Sequence, residues 1–233
     1  MAETILVAGA TGGTGQQIVG KLLNKGMPVR ALVRNLDKAQ ALFPEEDFEL
    51  VQGDTREPVT LPQAVVGARA VICATGTRVP AGENSPEHVD FEGVSNLVRA
   101  ARNAAVARFI LVSSTAVTQP GHPMNNFGRV LDWKLEGEKA VRESGLAYTI
   151  IRPGGLLDDP GGQGAIVIGQ GDTISGTISR SDLASCVVHA LDNIATYHTT
   201  FEIVAVPGDA HPLDRADYWH DLFAGLKTDR ELG

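Results

Sequence analysis

The residues best suited to chemistry stand near the start of the chain, in Gly9-Ala10-Thr11-Gly12-Gly13-Thr14-Gly15. The glycines recur as G-x-x-G-x-x-G between an apolar run, Thr4–Ala8, and a helical pattern. That spacing suits a backbone that turns tightly, approaches a pyrophosphate and packs a helix close to a sheet. Free N–H groups and the positive end of the helix dipole then hold the anion. In such a unit cofactor choice is written about 20 residues on, with Asp or Glu for a ribose 2′-hydroxyl and Arg for a 2′-phosphate. Here the second strand ends in Val33-Arg34-Asn35, Lys38 follows one helical turn later, and Asp37 is the only acid nearby. NADP(H) is therefore expected rather than NAD(H).

The elements that must position these residues alternate regularly. Strands are expected at Thr4–Ala8, Val29–Val33, Phe48–Val51, Ala70–Ala74, Phe109–Val112 and Tyr148–Ile151. Helices are expected at Gly13–Lys25 (closed by Gly26), Leu36–Leu42, Pro86–Ala105 (with Ser85 as N-cap) and Asn126–Ser144 (closed by Gly145). Strands apolar at every position are buried on both faces, and alternation with helices makes them parallel. The fold class is thus α/β: a doubly wound parallel sheet, the Rossmann fold, in three αβα layers. Beyond Pro153 the rhythm breaks into a Gly/Asp-rich stretch, 158–164, then a helix near 182–191, a strand Phe201–Val206 and a helix Leu213–Leu226. This tail is too small for its own core. The chain reads as one domain, 1–233, with a core over 1–156 and a small C-terminal cap over 157–233 on the substrate side.

Composition narrows the function classes. Of 233 residues 26 are glycine and 43% are hydrophobic, with no Gly-X-Y period, so neither collagen nor disorder explains the glycines. A net charge of −8, no adjacent basic residues and only 5% aromatics argue against a nucleic-acid partner. No apolar run approaches the length of a membrane span. Cys73 and Cys186 form no CxxC pair, and the acidic start does not read as a signal peptide, so a reducing, cytoplasmic compartment is expected. The six histidines show no metal spacing, and no metal is expected. His122 is the one placed near the nicotinamide end. Asp158-Asp159-Pro160-Gly161-Gly162 has the wrong ligand spacing for calcium and reads as a mobile substrate loop, and Asp182 as a helix-capping carboxylate.

These residues resemble the short-chain dehydrogenase/reductase superfamily, in its atypical NAD(P)-binding branch of NmrA-like and biliverdin reductase B/flavin reductase-like proteins. The matching stretches are Gly9–Gly15, Leu32-Val33-Arg34, Gly53-Asp54, Ala74-Thr75-Gly76-Thr77-Arg78, Ser113-Ser114, Ser144-Gly145-Leu146, Arg152-Pro153-Gly154-Gly155 and Ile178–Leu183. The resemblance implies that Asp54 and Thr55 flank the adenine, that Ala74, Thr75 and Gly76 line the adenosine ribose, and that Pro153, Gly154 and Gly155 meet the nicotinamide carboxamide. The full cofactor set expected is Gly9, Thr11, Gly12, Gly13, Thr14, Gly15, Arg34, Lys38, Asp54, Thr55, Ala74, Thr75, Gly76, Arg78, Ser113, Lys134, Pro153, Gly154 and Gly155.

The superfamily's usual acid, a Tyr four residues before a Lys, is missing. Arg152, Phe201 and Leu222 stand four residues beyond Tyr148, Tyr197 and Tyr218. Lys134 matches the lysine, with Val130 where the tyrosine belongs, and it shares a helical stripe with Phe127, Val130, Leu131 and Val141. A lysine on such a stripe either snorkels to the surface or has a partner, and a cofactor ribose is the favoured partner. Ser114 matches the serine; it either positions substrate or water, or simply caps a turn. Lys134 and Ser114 are the candidate catalytic residues. Without the tyrosine, the chemistry suits an acceptor that takes hydride at a conjugated carbon or nitrogen, such as a flavin, tetrapyrrole or quinone. The alternative is a non-catalytic NADP(H)-binding sensor or assembly factor with a protein partner. An epimerase would need the tyrosine.

Overall fold

Strands whose every residue is apolar need cover on both sides, and the computed structural model provides it. It describes residues 4–44 and 48–232; residues 1–3, part of the acidic start discussed above, lie outside them. The strands are β1 (Thr4–Ala8), β2 (Val29–Val33), β3 (Glu49–Gln52), β4 (Ala68–Cys73), β5 (Arg108–Val112), β6 (Ala147–Pro153), β7 (Gly155–Leu157), β8 (Ala165–Gly169), β9 (Thr177–Ser179) and β10 (Thr199–Val206). The helices are α1 (Gly13–Asn24), α2 (Leu36–Leu42), α3 (Pro62–Val65), α4 (Gly93–Asn103), α5 (Val130–Arg142), α6 (Arg180–Ala190), α7 (Ala216–Phe223) and α8 (Asp229–Leu232).

One sheet runs β3-β2-β1-β4-β5-β6-β10-β9-β7, with β8 on β10. From β3 to β10 every pairing is parallel, and the order reverses between β1 and β4. Side chains alternate across this sheet. Ile5 and Val7 of β1 join the core under α1 and α6, whereas Leu6 and Ala8 join the core under α3 and α4. Ligands in such sheets bind beyond the carboxyl ends of the strands, at the reversal of strand order. Here that point is the gap between the ends of β1 and β4.

Several expected boundaries move. The segment read as one helix from Pro86 begins as a wide π turn over Glu87–Glu92 before α4 takes over at Gly93. Pro86 already has helical dihedrals at the cap position, and no side chain caps this end, so Ser85 is not the N-cap. Its apolar positions Val89, Leu97, Val98 and Ala101 are buried. The helix expected from Asn126 starts at Val130, after a 3₁₀ turn over Pro123–Asn126. Val130, Leu131 and Val141 are buried, but Phe127 precedes the helix and is exposed. The Gly-rich stretch after Pro153 contains β7, β8 and β9, short strands at the end of the sheet that lack a clear apolar alternation. The tail also does more than cover: β10 pairs in parallel with β6, and α6 packs along α1.

Candidate functional site

Gly9 ends β1 with φ +86°, and a Cβ there would overlap the Ala74 carbonyl at the end of β4. The left-handed turn and the contact with the neighbouring strand both demand glycine. Gly12 donates its N–H to the Gly9 carbonyl at 2.9 Å, and α1 then starts at Gly13 with no side-chain cap and no acid in its first turn. The first amides of α1 therefore keep their donors for an outside anion. A Cβ on Gly15 would overlap the Gly9 carbonyl, which fixes how tightly the turn closes on the helix.

This turn opens on a cleft of about 760 Å³, within the range of dinucleotide-sized ligand sites. Gly9, Thr11, Gly12, Gly13, Arg34, Lys38, Asp54, Thr55, Ala74, Thr75, Gly76 and Arg78 all line it. Thr14 and Gly15 are buried behind the turn, inside α1. Arg34, at the end of β2, is exposed and donates to Asn84 Oδ1 at 2.8 Å. Asn35 accepts from the Lys38 amide at 2.8 Å, capping α2 and setting Lys38 one turn beyond Arg34 on the same rim. Sequence reasoning missed Arg56. It grips Asp54 through Nη2–Oδ2 at 2.6 Å and donates to the Glu83 carbonyl at 2.7 Å. Burial alone would raise the Asp54 carboxyl, but the Arg56 hydrogen bonds and charge, with Arg34 adding to them, hold it below its usual value. A basic residue two positions after the acid ending the third strand was the available signal.

The other expected residues lie deeper or elsewhere. Lys134 Nζ donates to Asp90 Oδ1 at 2.7 Å, so in this structure the lysine's partner is a buried carboxylate. Asp90 is 3% exposed, and its Oδ2 has no hydrogen-bond partner. Asp90 precedes Val94 and Leu97 by four and seven residues, so an acid on an apolar stripe was legible and went unread. Lys134, Asp90, Ser113 and Thr75 share a cavity of about 10 Å³ next to the cleft, which Thr75 also lines. Ser113 donates to Glu138 Oε1 at 2.6 Å, inside a buried cluster where Arg152 and Arg142 also bind Glu138. Ser114 is half-buried and its hydroxyl makes no hydrogen bond among the described residues. Ser114, Pro153, Gly154 and Gly155 line neither cavity. A Cβ on Gly154 would overlap the Gly176 carbonyl, so that glycine accommodates β9. His122 also lines neither; its ring accepts from the Met124 amide at 3.3 Å. Asp182 accepts from the Gly162 amide at 2.8 Å and faces His211 Nε2 at 3.1 Å, a structural carboxylate.

None of the three tyrosines lines the cleft. The Tyr148 hydroxyl donates to Asp229, Tyr197 lies under the Arg108 guanidinium, and Tyr218 stacks on His211. Among the described residues no helix is long and apolar enough to cross a membrane, and no cluster of His, Cys, Asp and Glu has a metal-holding arrangement.

Residues 9–194 match the NAD(P)H-binding family. An uncharacterized chloroplastic protein of Arabidopsis thaliana is 39% identical over 97% of this chain and 83% of its own length. Photosystem II assembly factor Ycf39 of Guillardia theta is 34% identical over 87% of this chain and 65% of its own. Sanguinarine reductase of Eschscholzia californica is 28% identical over 88% and 89%. Against the chloroplast TIC 62 proteins the chain spans only 27% to 35% of the partner's length. Among solved structures, a Bacillus halodurans protein described as an NAD-dependent epimerase/dehydratase superposes with TM-score 0.80 at 27% identity, covering 91% of this chain and 97% of the other. ChuY, an anaerobilin reductase of Escherichia coli O157:H7, gives 0.75 at 24% over 90% and 99%. A Veillonella parvula short-chain dehydrogenase/reductase in complex with NADP, the cofactor expected here, gives 0.69 at 21% over 91% and 98%. The expected cytoplasmic location is overturned, because the Arabidopsis relative and the TIC 62 proteins are chloroplastic. A reducing interior, inferred from two unpaired cysteines, is not unique to the cytoplasm. With its phosphate turn, its cleft at the strand reversal and a family match over most of its length, the chain belongs to the NAD(P)H-binding family and carries its cofactor site on a Rossmann-like fold.

Proposed function

We propose that the chain is an NADPH-dependent reductase acting on a planar conjugated acceptor, with no tyrosine acid. The observation that carries this reading is the occupation of all three tyrosines away from the cleft. NADPH, when bound, supplies the hydride. The Gly9–Gly15 turn would orient its diphosphate, Arg34 and Lys38 would meet the 2′-phosphate, and Lys134 and Ser113 line the small cavity beyond Thr75. An extended acceptor delocalises the electron pair it receives, so proton delivery by solvent suffices where a simple ketone would need a poised acid. Sanguinarine and anaerobilin, named for two of the relatives, are both extended conjugated molecules.

The test is NADPH oxidation by the pure protein with flavins, quinones, tetrapyrroles and simple ketones. Turnover confined to conjugated acceptors is expected, and no oxidation above background across the panel defeats the reading. For the cofactor half, Arg34→Glu is expected to weaken NADP⁺ binding by about 2–3 kcal/mol with little change for NAD⁺. Equal losses for both would remove Arg34 from that role.

A second reading, a non-catalytic NADP(H) sensor or assembly factor, draws on a different observation. Beyond Thr75 the cleft gives way to a cavity of only about 10 Å³, and Lys134 is already satisfied by Asp90. This reading expects no turnover with any acceptor and a protein partner that distinguishes NADP⁺ from NADPH.

A further inference from the structure

Arg180 is the first residue of α6, far along the chain from the glycine turn, yet its side chain crosses that turn. Its Cδ and Nε lie 3.0 Å from where a Cβ on Gly13 would stand. Gly13 lines the cleft and is the first residue of α1. Two features fix this placement. Ser179 accepts from the Asp182 amide at 2.9 Å, which sets the start of α6, and α6 lies along α1. The guanidinium meanwhile places Nη1 on Asp158 Oδ1 at 2.6 Å, with the Arg180 side chain itself 20% exposed. The Asp158 side chain is 88% exposed. A solvated carboxylate is a weak holder, because water competes for it and salt screens it.

We propose that Arg180 is a diphosphate ligand held in reserve, exchanging Asp158 for the dinucleotide's phosphates when cofactor binds. The free amides at the start of α1 already draw the diphosphate to this turn. An arginine lying across the same turn adds a planar fork that matches phosphate oxygens, a stronger pairing than an exposed carboxylate offers. Asp158 is then a competitor. It keeps the fork folded beside the turn and lowers apparent affinity by the strength of the contact that must break. This inference rests only on dinucleotide binding, so it stands or falls separately from the acceptor reading.

Binding constants for NADP⁺, NAD⁺ and adenosine 2′-monophosphate, which lacks the diphosphate, test it by titration of the full chain. Arg180→Ala is expected to raise the Kd of NADP⁺ and of NAD⁺ about tenfold, while adenosine 2′-monophosphate stays within about twofold. Arg180→Lys should fall between, because it keeps the charge and loses the fork. Asp158→Asn, an exposed change with no folding risk, should tighten NADP⁺ binding by up to about fivefold. Plain relief of carboxylate charge would also favour adenosine 2′-monophosphate, whereas the exchange favours only the ligands that carry a diphosphate, so the gain must be absent for adenosine 2′-monophosphate. An unchanged or weaker affinity in Asp158→Asn overturns the exchange. An Arg180→Ala variant that binds NADP⁺ normally, or loses adenosine 2′-monophosphate equally, overturns the diphosphate contact.

Discussion

At the scale of single residues, the pair Lys134–Asp90 concentrates the most electrostatic consequence in the least space. Asp90 is nearly sealed, and one of its two carboxylate oxygens already lacks a partner. Lys134→Met would leave the carboxylate buried without its counter-charge, a change that costs about 3–5 kcal/mol in comparable buried pairs. The double variant Lys134→Met/Asp90→Leu should recover most of that loss, and a chemical denaturation series on the three proteins measures it. Legibility differs sharply at this scale. The glycine turn, Arg34 and Lys38 could be placed on the cleft because the turn that ends a strand of such a sheet imposes local spacings. Asp90 and Arg56 were missed because each does its work through a partner supplied by tertiary packing (Lys134) or by a local turn (Asp54). Ser113 was expected at the cofactor, and the structure gives its hydroxyl to Glu138, a residue 25 positions away that no local pattern connects to it.

At the scale of elements, α5 reaches Asp90 only because Gly137 carries no side chain. A Cβ at Gly137 would overlap the Asp90 carbonyl, one turn beyond Lys134. The wide turn over Glu87–Glu92 supplies the other half of the approach, by carrying both Val89 and Asp90 inward. Gly137→Val should push α5 away from that turn, with a cost of about 1–3 kcal/mol from overpacking. It should also lengthen the Lys134–Asp90 contact, which a crystal structure of the variant would display. The positions of the first six strands along the chain followed from apolar runs and glycine punctuation, since strands buried on both faces leave a continuous hydrophobic signature. The π turn, the 3₁₀ entry to α5 and the short strands β7, β8 and β9 did not, because their shapes come from the neighbours they pack against.

Across the whole molecule, the C-terminal part is joined to the core through His189 of α6, stacked on Trp219 of α7 with ring centroids 5.8 Å apart. Burial lowers the His189 pKa to about 4, with the positive charges of Lys25 and Lys21 acting in the same direction and Asp214 against them. The unfolded chain therefore takes up this proton more readily than the native one. His189 thus contributes stability in full above its ordinary pKa near 6.5, and that contribution is lost as pH falls toward 4. Thermal melts between pH 4 and 7 should show this slope, and His189→Phe should flatten it; an unchanged slope would assign the dependence to other groups.

The position of β10 beside β6 has a consequence for the chain as it is made. The parallel sheet gains its seventh strand only after residue 199, and α1, which begins at residue 13, waits for α6 to cover it. Contacts of such long sequence separation form late, since the loop entropy must be met before they reward it. A nascent chain stopped near residue 154 would hold the phosphate turn and six strands, yet present an open β6 edge and a bare apolar face on α1. Such a fragment invites association with other chains, and the helix that finally shields it is the one bearing Arg180.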